Sequence, residues 1–147
     1  MFKNVLVPTD GSSLSLKAAA QGVALAKSVG AKVTGFFAAP PATPIVYRNN
    51  LPVGFAQPGE HEKIISKTVA KHLDAIERLA KKAGVRFEGA HATNDYPADA
   101  ILDAAKKKKC DVIVMATQGE GGLRGMFIGS VTQKVLNQSK VPVLVIR

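Results

Sequence analysis

Short apolar runs rich in β-branched residues alternate with helical patterns along the chain. Each run has the length and composition of a strand. The first, fourth and fifth contain VLV, VIVMA and VLVI, continuously apolar segments that are typical of parallel strands covered on both faces. The five predicted strands are Asn4 to Val7, Lys32 to Phe37, Val85 to Ala92, Asp111 to Ala116 and Val141 to Ile146.

Helical patterns lie between the first three strands, and they predict two helices, of which the longer is amphipathic with apolar residues every three or four positions. The longer runs from Glu60 to Ala83 and has a basic outer face. The other is alanine-rich and runs from Ser13 to Val29. Ser12 precedes it as an N-cap and Gly30 follows as a terminating residue.

Two shorter helices are predicted in the second half of the chain. One begins at Pro97, a favoured first-turn residue, and the other spans Ser130 to Gln138. Ser130 and Gln133 have the spacing of a capping box. The alternation of strands and helices predicts one α/β domain over residues 1–147, an open parallel sheet with helices on both faces.

One long segment, Ala39 to Gly59, lacks a clear period and is rich in proline. We expect a flexible loop or lid after the second strand.

Composition restricts the protein's environment. No apolar run approaches the roughly 20 residues that span a bilayer, and the N-terminus lacks the apolar core of a signal peptide, so we expect a cytoplasmic protein without a membrane partner. The one cysteine, Cys110, lacks the neighbours of a zinc or redox motif, and we expect it to be structural.

The formal charge of +9 raises the question of a polyanionic partner. The densest basic run, Lys106 to Lys109, falls where a helix should end, and cations there meet the negative end of the helix dipole. No aromatic residues are interleaved with it, and no nucleic-acid-binding motif is present. Nucleic acid is therefore disfavoured as a partner.

Ligands of open parallel sheets bind beyond the carboxyl ends of the strands. Two segments lie there: Pro8 to Ser13 after the first strand, and Ala116 to Ser130 after the fourth. The second has five glycines between Gly119 and Gly129 and leads into a helix. Glycines and a helix N-terminus together favour a phosphate site. The alternative is that these glycines only form turns.

The common nucleotide signatures do not fit these segments. Ser130 follows Gly129 where a P-loop has lysine, and Arg124 stands where a GxGxxG motif would have its last glycine. A P-loop ATPase and a dinucleotide-binding Rossmann enzyme are therefore disfavoured.

The sequence resembles the universal stress protein family over essentially its whole length, from VLVPTDGS to GSVTQKVL and VPVLVIR. That family has a motif of glycine, two residues, glycine, nine residues, then glycine followed by serine or threonine. Gly119 and Gly129-Ser130 match its second and third parts, and Ala116 occupies the position of the first glycine. We expect this departure to weaken contact with the ribose.

The resemblance implies an adenine nucleotide alpha hydrolase-like fold with strand order 3-2-1-4-5. It implies ATP as the ligand, with Mg²⁺ left open as its companion. Arg124 is a further candidate for the terminal phosphates. The implied nucleotide-binding residues are Pro8, Thr9 and Asp10 near adenine and ribose, Ala38 at the base, Met115, Ala116 and Gln118 along the ribose, and Gly119, Gly129, Ser130, Val131 and Thr132 at the phosphates.

No catalytic set can be assembled from the sequence. His61, His72 and His91 do not form a triad or metal constellation with their neighbours, so we expect at most a slow ATPase and no resident metal. The resemblance implies a homodimer through Val141 to Ile146, since a bare edge strand invites pairing. The leading hypothesis is a nucleotide-binding stress-response or regulatory module. The alternatives are a family member that binds no nucleotide and acts through protein contacts, and a nucleic-acid-binding protein.

Overall fold

The computed structural model describes residues 1–41, 45–48, 51–55, 59–118 and 127–147. The elements in chain order are β1 (Asn4–Thr9), α1 (Ser13–Val29), β2 (Lys32–Ala39), β3 (Ile45–Arg48), β4 (Leu51–Phe55), α2 (Glu60–Ala83), β5 (Phe87–Thr93), α3 (Pro97–Lys107), β6 (Val112–Ala116), α4 (Ser130–Gln138) and β7 (Val143–Ile146).

Five strands form one parallel sheet in the order β5-β2-β1-β6-β7. Counted without β3 and β4, this is the predicted order 3-2-1-4-5, which is confirmed. Asn4 of β1 pairs with Lys32 of β2, and Ile113 of β6 pairs with Val143 of β7. Because the strands are parallel, their carboxyl ends meet at one edge of the sheet.

The side chains of the central strands alternate between two cores, as the pleat requires. Val5 and Val7 belong to a buried cluster with residues of α1 and α2, whereas Leu6 belongs to a second cluster with residues of α3 and α4. Helices therefore cover both faces of the sheet, as predicted. Cys110 lies in the second cluster at 5% exposure, and desolvation raises the pKa of its thiol.

The segment from Ala39 to Gly59 differs from the expected irregular loop. Residues 45–48 and 51–55 form an antiparallel hairpin, β3 and β4, as a separate two-stranded sheet. The sequences IVYR and LPVGF are rich in strand-favouring residues, but the prolines and glycine around them obscure this preference.

The fourth predicted strand begins one residue late, at Val112 and not at Asp111, and two other predicted starts were wrong by two residues because hydrogen bonds that end the preceding helix extend to them. Val85 still donates its N–H to Ala80 O in the turn that ends α2, so β5 begins at Phe87 and not at Val85. Val141 exchanges hydrogen bonds with the Ser139 hydroxyl, so β7 begins at Val143 and not at Val141.

In the described part of the chain, no helix is long and apolar enough to cross a membrane.

The fold predicts a large difference between two isoleucines of α2. Ile76 is fully buried against the α1 side of the sheet, whereas Ile64 is 63% exposed. Ile76→Ala should lower the free energy of unfolding by about 2–5 kcal/mol, because it leaves a cavity in the core. Ile64→Ala, the matched control, should change it by less than about 0.5 kcal/mol. Urea denaturation measures both, and equal effects would contradict the assigned packing of α2.

Candidate functional site

The candidate site is a cleft where two neighbouring strands separate. β1 and β6 pair at Val5 with Val112 and at Leu6 with Ile113, although β1 continues to Thr9 and β6 to Ala116. Pro8 has no N–H to donate, so it suits a strand whose neighbour has moved away. A cavity of about 470 Å³ lies beyond this point, at the carboxyl edge of the sheet.

The cavity draws its walls from both sides of the cleft. All of the predicted site residues that the structure describes line it, and Gly119 and Arg124 lie outside the described residues. The described lining residues are Pro8, Thr9, Asp10, Ser15, Phe36, Phe37, Ala38, Pro97, Ile101, Met115, Ala116, Gln118, Gly129, Ser130, Val131 and Thr132.

Five of these lining residues were missed by the sequence analysis: Ser15, Phe36, Phe37, Pro97 and Ile101. A signal existed for three of them. The two phenylalanines immediately precede Ala38 at the carboxyl end of β2, and Pro97 opens the helix that follows β5 at the same edge of the sheet. Ile101 and Ser15 follow from the packing of α3 and α1, which the sequence does not show.

The loop after β1 is held rigidly by its own polar groups. The backbone N–H of Ser12 donates to Asp10 Oδ1 at 2.9 Å, and that of Gly11 donates to Thr9 Oγ1 at 3.1 Å. The Ser12 hydroxyl in turn accepts from the N–H of Ser15 and caps α1, as predicted. This network fixes the Asp10 carboxyl group at the rim of the cavity.

Gly11 shows why the loop needs a residue without a side chain. Its φ is +83°, which disfavours other residues, and a Cβ atom there would clash with the imidazole of His72. The His72 ring also packs against Phe37, with 5.3 Å between ring centroids. Helix α2 therefore braces both the loop after β1 and the end of β2.

The start of α4 differs from the predicted capping box. Gly129, not Ser130, is the N-cap residue, and no side chain caps the helix. Gly129 is held by its own backbone, since its N–H donates to Thr117 O at 2.7 Å and its carbonyl accepts from Gln133 N at 2.9 Å. Ser130 therefore occupies the first helical position, where its hydroxyl is not needed as a cap. The first-turn N–H groups of α4 have no partner within the helix.

Gly129 is also packed tightly against the opposite loop. A Cβ atom there would lie 3.1 Å from Gln118 Cα and 3.3 Å from Thr117 O. The close approach of the two backbones is what brings the N-terminus of α4 to the cavity.

Ala116, at the position of the missing motif glycine, has the backbone of a strand. It pairs with Ile146 in β7, and Lys109 is the one non-glycine residue with positive φ in the described part of the chain. The Ala116 carbonyl accepts a hydrogen bond from Thr132 Oγ1 at 2.8 Å. Because this bond uses the hydroxyl proton, Thr132 faces a ligand mainly with its backbone.

The described lining has a simple electrostatic pattern. Asp10 is its one charged side chain, and the start of α4 contributes the partial positive charge of a helix N-terminus. None of the three histidines lines the cavity, and the described residues contain no group of three or more His, Cys, Asp or Glu that could hold a metal ion. This arrangement suits binding of an anion attached to an apolar group.

Comparison with protein families identifies strong similarities. The sequence profile described as "Universal stress protein family" matches residues 1–147. Universal stress protein YxiE of Bacillus subtilis is 36% identical over 152 aligned positions that cover all of both chains. A universal stress protein of Methanocaldococcus jannaschii is 31% identical over all of this chain and 83% of its own.

A solved structure agrees with the fold. The crystal structure of a universal stress protein in complex with cAMP has 26% sequence identity and a TM-score of 0.72, and the match covers 99% of this chain and 97% of that one. The adenine nucleotide alpha hydrolase-like fold expected from the resemblance is thereby confirmed.

The hydrogen bond between Thr132 and Ala116 yields a stability prediction. Thr132 is 2% exposed, so Thr132→Val leaves the Ala116 carbonyl without this donor in a buried position. We expect a loss of about 1–3 kcal/mol in the free energy of unfolding. Thr68→Val is the control, because the Thr68 hydroxyl bonds to its own helix at an exposed position. Thermal or urea unfolding that gives equal, small effects for both would show that the buried bond contributes little.

Proposed function

This chain belongs to the universal stress protein family, and we propose that it binds ATP in the cavity between the ends of β1 and β6. The observation that carries the proposal is the uncapped N-terminus of α4 at one end of a cavity whose other walls are largely apolar. A nucleotide combines the two corresponding chemical groups, a phosphate chain and a flat base.

The apolar walls provide the base site in this proposal. One wall contains Phe36, Phe37 and Ala38, which lie just before the end of β2. Ile101 of α3 and Met115 of β6 also line the cavity. A flat, weakly polar ring such as adenine gains from burial against such surfaces. Pro8, Thr9 and Asp10 would lie nearest to the base and ribose, and Ala116 and Gln118 along the ribose.

The phosphates would bind at the start of α4. N–H groups at a helix N-terminus point toward an anion and the helix dipole favours negative charge. Ser130, Val131 and Thr132 supply these groups, because the Gly129 N–H is used by Thr117 O and Gly129 serves the close approach of the two backbones. No acidic residue lies in the first turn of α4 to oppose the phosphates. The predicted roles of Gly119 and Arg124 fall outside the described residues and remain part of the proposal.

Mg²⁺ fits as a companion of the phosphates rather than as a resident ion. This ion is commonly held by one or two carboxylates together with substrate phosphates and water, and Asp10 is the carboxylate at the described rim. The described lining has no histidine or second carboxylate that would act as general base. We therefore propose binding with at most slow hydrolysis.

A binding protein of this kind would act as a cytoplasmic stress-response or regulatory module whose bound state reports on adenine nucleotides. The relative crystallised with cAMP supports an adenine nucleotide as the ligand class. The competing hypothesis is a family member without nucleotide, marked by Ala116. Two observations favour the nucleotide: the extended backbone of Ala116 needs no glycine, and the cavity is present beside it.

The proposal predicts that removal of one backbone donor weakens binding. Ser130→Pro deletes the N–H at the first helical position, where proline is well tolerated, and the preceding Gly129 has the extended conformation (φ −62°, ψ 155°) that proline requires. We expect about a 10- to 100-fold rise in the Kd for MgATP by calorimetry, the value of one charge-assisted hydrogen bond.

Two further variants isolate the donor. Ser130→Ala removes the hydroxyl but keeps the N–H, so it should bind nearly normally. Ser13→Pro places proline at the first position of α1, again after an extended N-cap residue. Because Ser13 does not line the cavity, this variant should also bind nearly normally. Unchanged affinity in Ser130→Pro would remove α4 from the site, and a wild-type chain that binds no adenine nucleotide at millimolar concentration would favour the alternative without nucleotide.

We also propose a homodimer through β7, the last strand of the sheet. β7 has a neighbour on one side, β6, within the described sheet, and Leu144 is 44% exposed on it. An edge strand with apolar side chains and no proline within it can pair with a second copy.

Light scattering tests the dimer directly. We expect a dimeric mass at micromolar concentration and a shift toward monomer for Leu144→Lys, because like charges would meet across the new edge. Ile64→Lys, an exposed position on α2, should leave the mass unchanged. A monomeric wild-type protein, or a dimer that Leu144→Lys leaves intact, would contradict the assignment to β7.

A further inference from the structure

Basic residues gather at the end of the sheet opposite the cavity. We call this surface the basic end, and define it by the residues that end helices α1 to α3 or precede and begin the strands. Its cations are Lys3, Lys27, Lys32, Lys81, Lys82, Arg86, Lys106, Lys107, Lys108, Lys109 and Lys140.

The fold itself brings these residues together. In a parallel sheet with crossover helices, each helix ends where the next strand begins, so all these junctions share one edge. Hydrogen bonds join the junctions here: Lys32 N donates to Lys3 O, and Val33 N donates to Arg86 O. Asn4 Nδ2 likewise donates to Lys108 O. Residues more than 100 positions apart in the chain thus become neighbours.

The basic end contains the whole net charge of the protein. It has eleven of the twenty lysines and arginines but two of the eleven acidic residues, Glu88 and Asp111, and so carries the formal charge of +9. The nine cations and nine carboxylates in the rest of the chain cancel.

Local pairing neutralises a small part of this charge. Glu88 binds both Lys108 and Lys32, and hydrogen bonds from Lys108 and then Lys32 lower the pKa of its carboxyl group. Asp111 accepts hydrogen bonds from the backbone N–H groups of Lys3 and Asn4. The other nine cations are exposed, and in the described residues none has a carboxylate within ion-pairing distance.

Helix capping does not account for so many cations. Lys27, Lys81, Lys82, Lys106 and Lys107 lie in the last turns of helices, where the dipole favours them. Lys3, Arg86, Lys109 and Lys140 lie in the connections outside the helices and strands. Their mutual repulsion costs stability unless an anion is present.

The sequence alone disfavoured nucleic acid, but the fold gathers cations from several elements on one surface, and we propose that the basic end binds the phosphate backbone of double-stranded nucleic acid without reading its sequence. The two outer strands of the five-stranded sheet lie about 19 Å apart at this end, and a duplex presents one negative charge per about 1.7 Å. Single strands are disfavoured, because they bind through exposed aromatic side chains, and the described exposed aromatics, Tyr96 and Phe127, adjoin the starts of α3 and α4 at the opposite end. Among the described residues, the large exposed apolar side chains toward this end are Met1 before β1, Leu136 in the last turn of α4 and Leu144 in β7. They lie on three separate elements, whereas a membrane-binding surface presents a continuous apolar face.

Fluorescence anisotropy with two unrelated labelled duplexes of about 20 base pairs tests the proposal. We expect similar affinity for both duplexes and a fall of at least about tenfold between about 50 mM and 200 mM salt. Neutralising three exposed lysines in K106Q/K107Q/K109Q should weaken binding at least about tenfold at the lower salt. Because all three lie at or just beyond the end of α3, the change spares the core.

The matched control removes the same charge elsewhere. K63Q/K67Q/K71Q changes three exposed lysines in the first half of α2 and should retain nearly wild-type binding. Equal losses in the two triple variants would show that total charge, not the basic end, is responsible, and would overturn the proposal. So would binding to phosphatidylserine vesicles without binding to duplex, or no duplex binding at micromolar protein. A second variant, K3Q/K27Q/K140Q, removes three cations of the basic end that lie on other elements, and it should weaken duplex binding in the same way. Thermal unfolding verifies that each variant is folded.

Discussion

The separation of β1 from β6 is the constraint on which the rest of the structure depends. The two strands are paired near their starts, and no residues are paired beyond Leu6 and Ile113, so a gap must open at their carboxyl ends. The gap coincides with the point in the sheet order where connections change direction, the general location of ligand sites in open α/β sheets. Most of the described lining belongs to segments that border this opening: the end of β1 and the loop after it, the end of β2, the end of β6 and the start of α4.

The start of α4 is positioned by backbone contacts more than by side chains. Gly129 approaches Gln118 so closely that a side chain would not fit without a shift, and Thr132 ties the first turn to the Ala116 carbonyl. The helix is thus fixed to β6 while its first N–H groups remain uncapped by side chains. The position of this helix start therefore depends on Gly129, where the two backbones come closest.

The sequence predicts a structural feature well when a short pattern of residues determines it, and poorly when contacts between distant segments determine it. Continuous apolar runs identified the buried strands, and the strand ends located Asp10 and Ala116 at one site, because both follow from parallel pairing. The predicted N-cap of α4 was wrong. Ser130 and Gln133 have the spacing of a capping box, but the hydrogen bond from the Gly129 N–H to Thr117 O makes Gly129 the N-cap residue. The place of Ile101 at the site and the full extent of the basic end were hidden for a related reason. The run Lys106 to Lys109 is visible in the sequence, but only the three-dimensional packing adds residues far apart in sequence to it.

The segregation of charge has a consequence for how the molecule moves in an electric field. One end of the sheet carries the full excess of positive charge, while the rest of the chain is balanced. Such a molecule has a large permanent dipole moment directed roughly along its strands. Near a strongly anionic body such a charge distribution produces a torque as well as an attraction, which favours approach with the basic end first. Its encounters are therefore oriented before contact, to a degree that declines as the Debye length shortens.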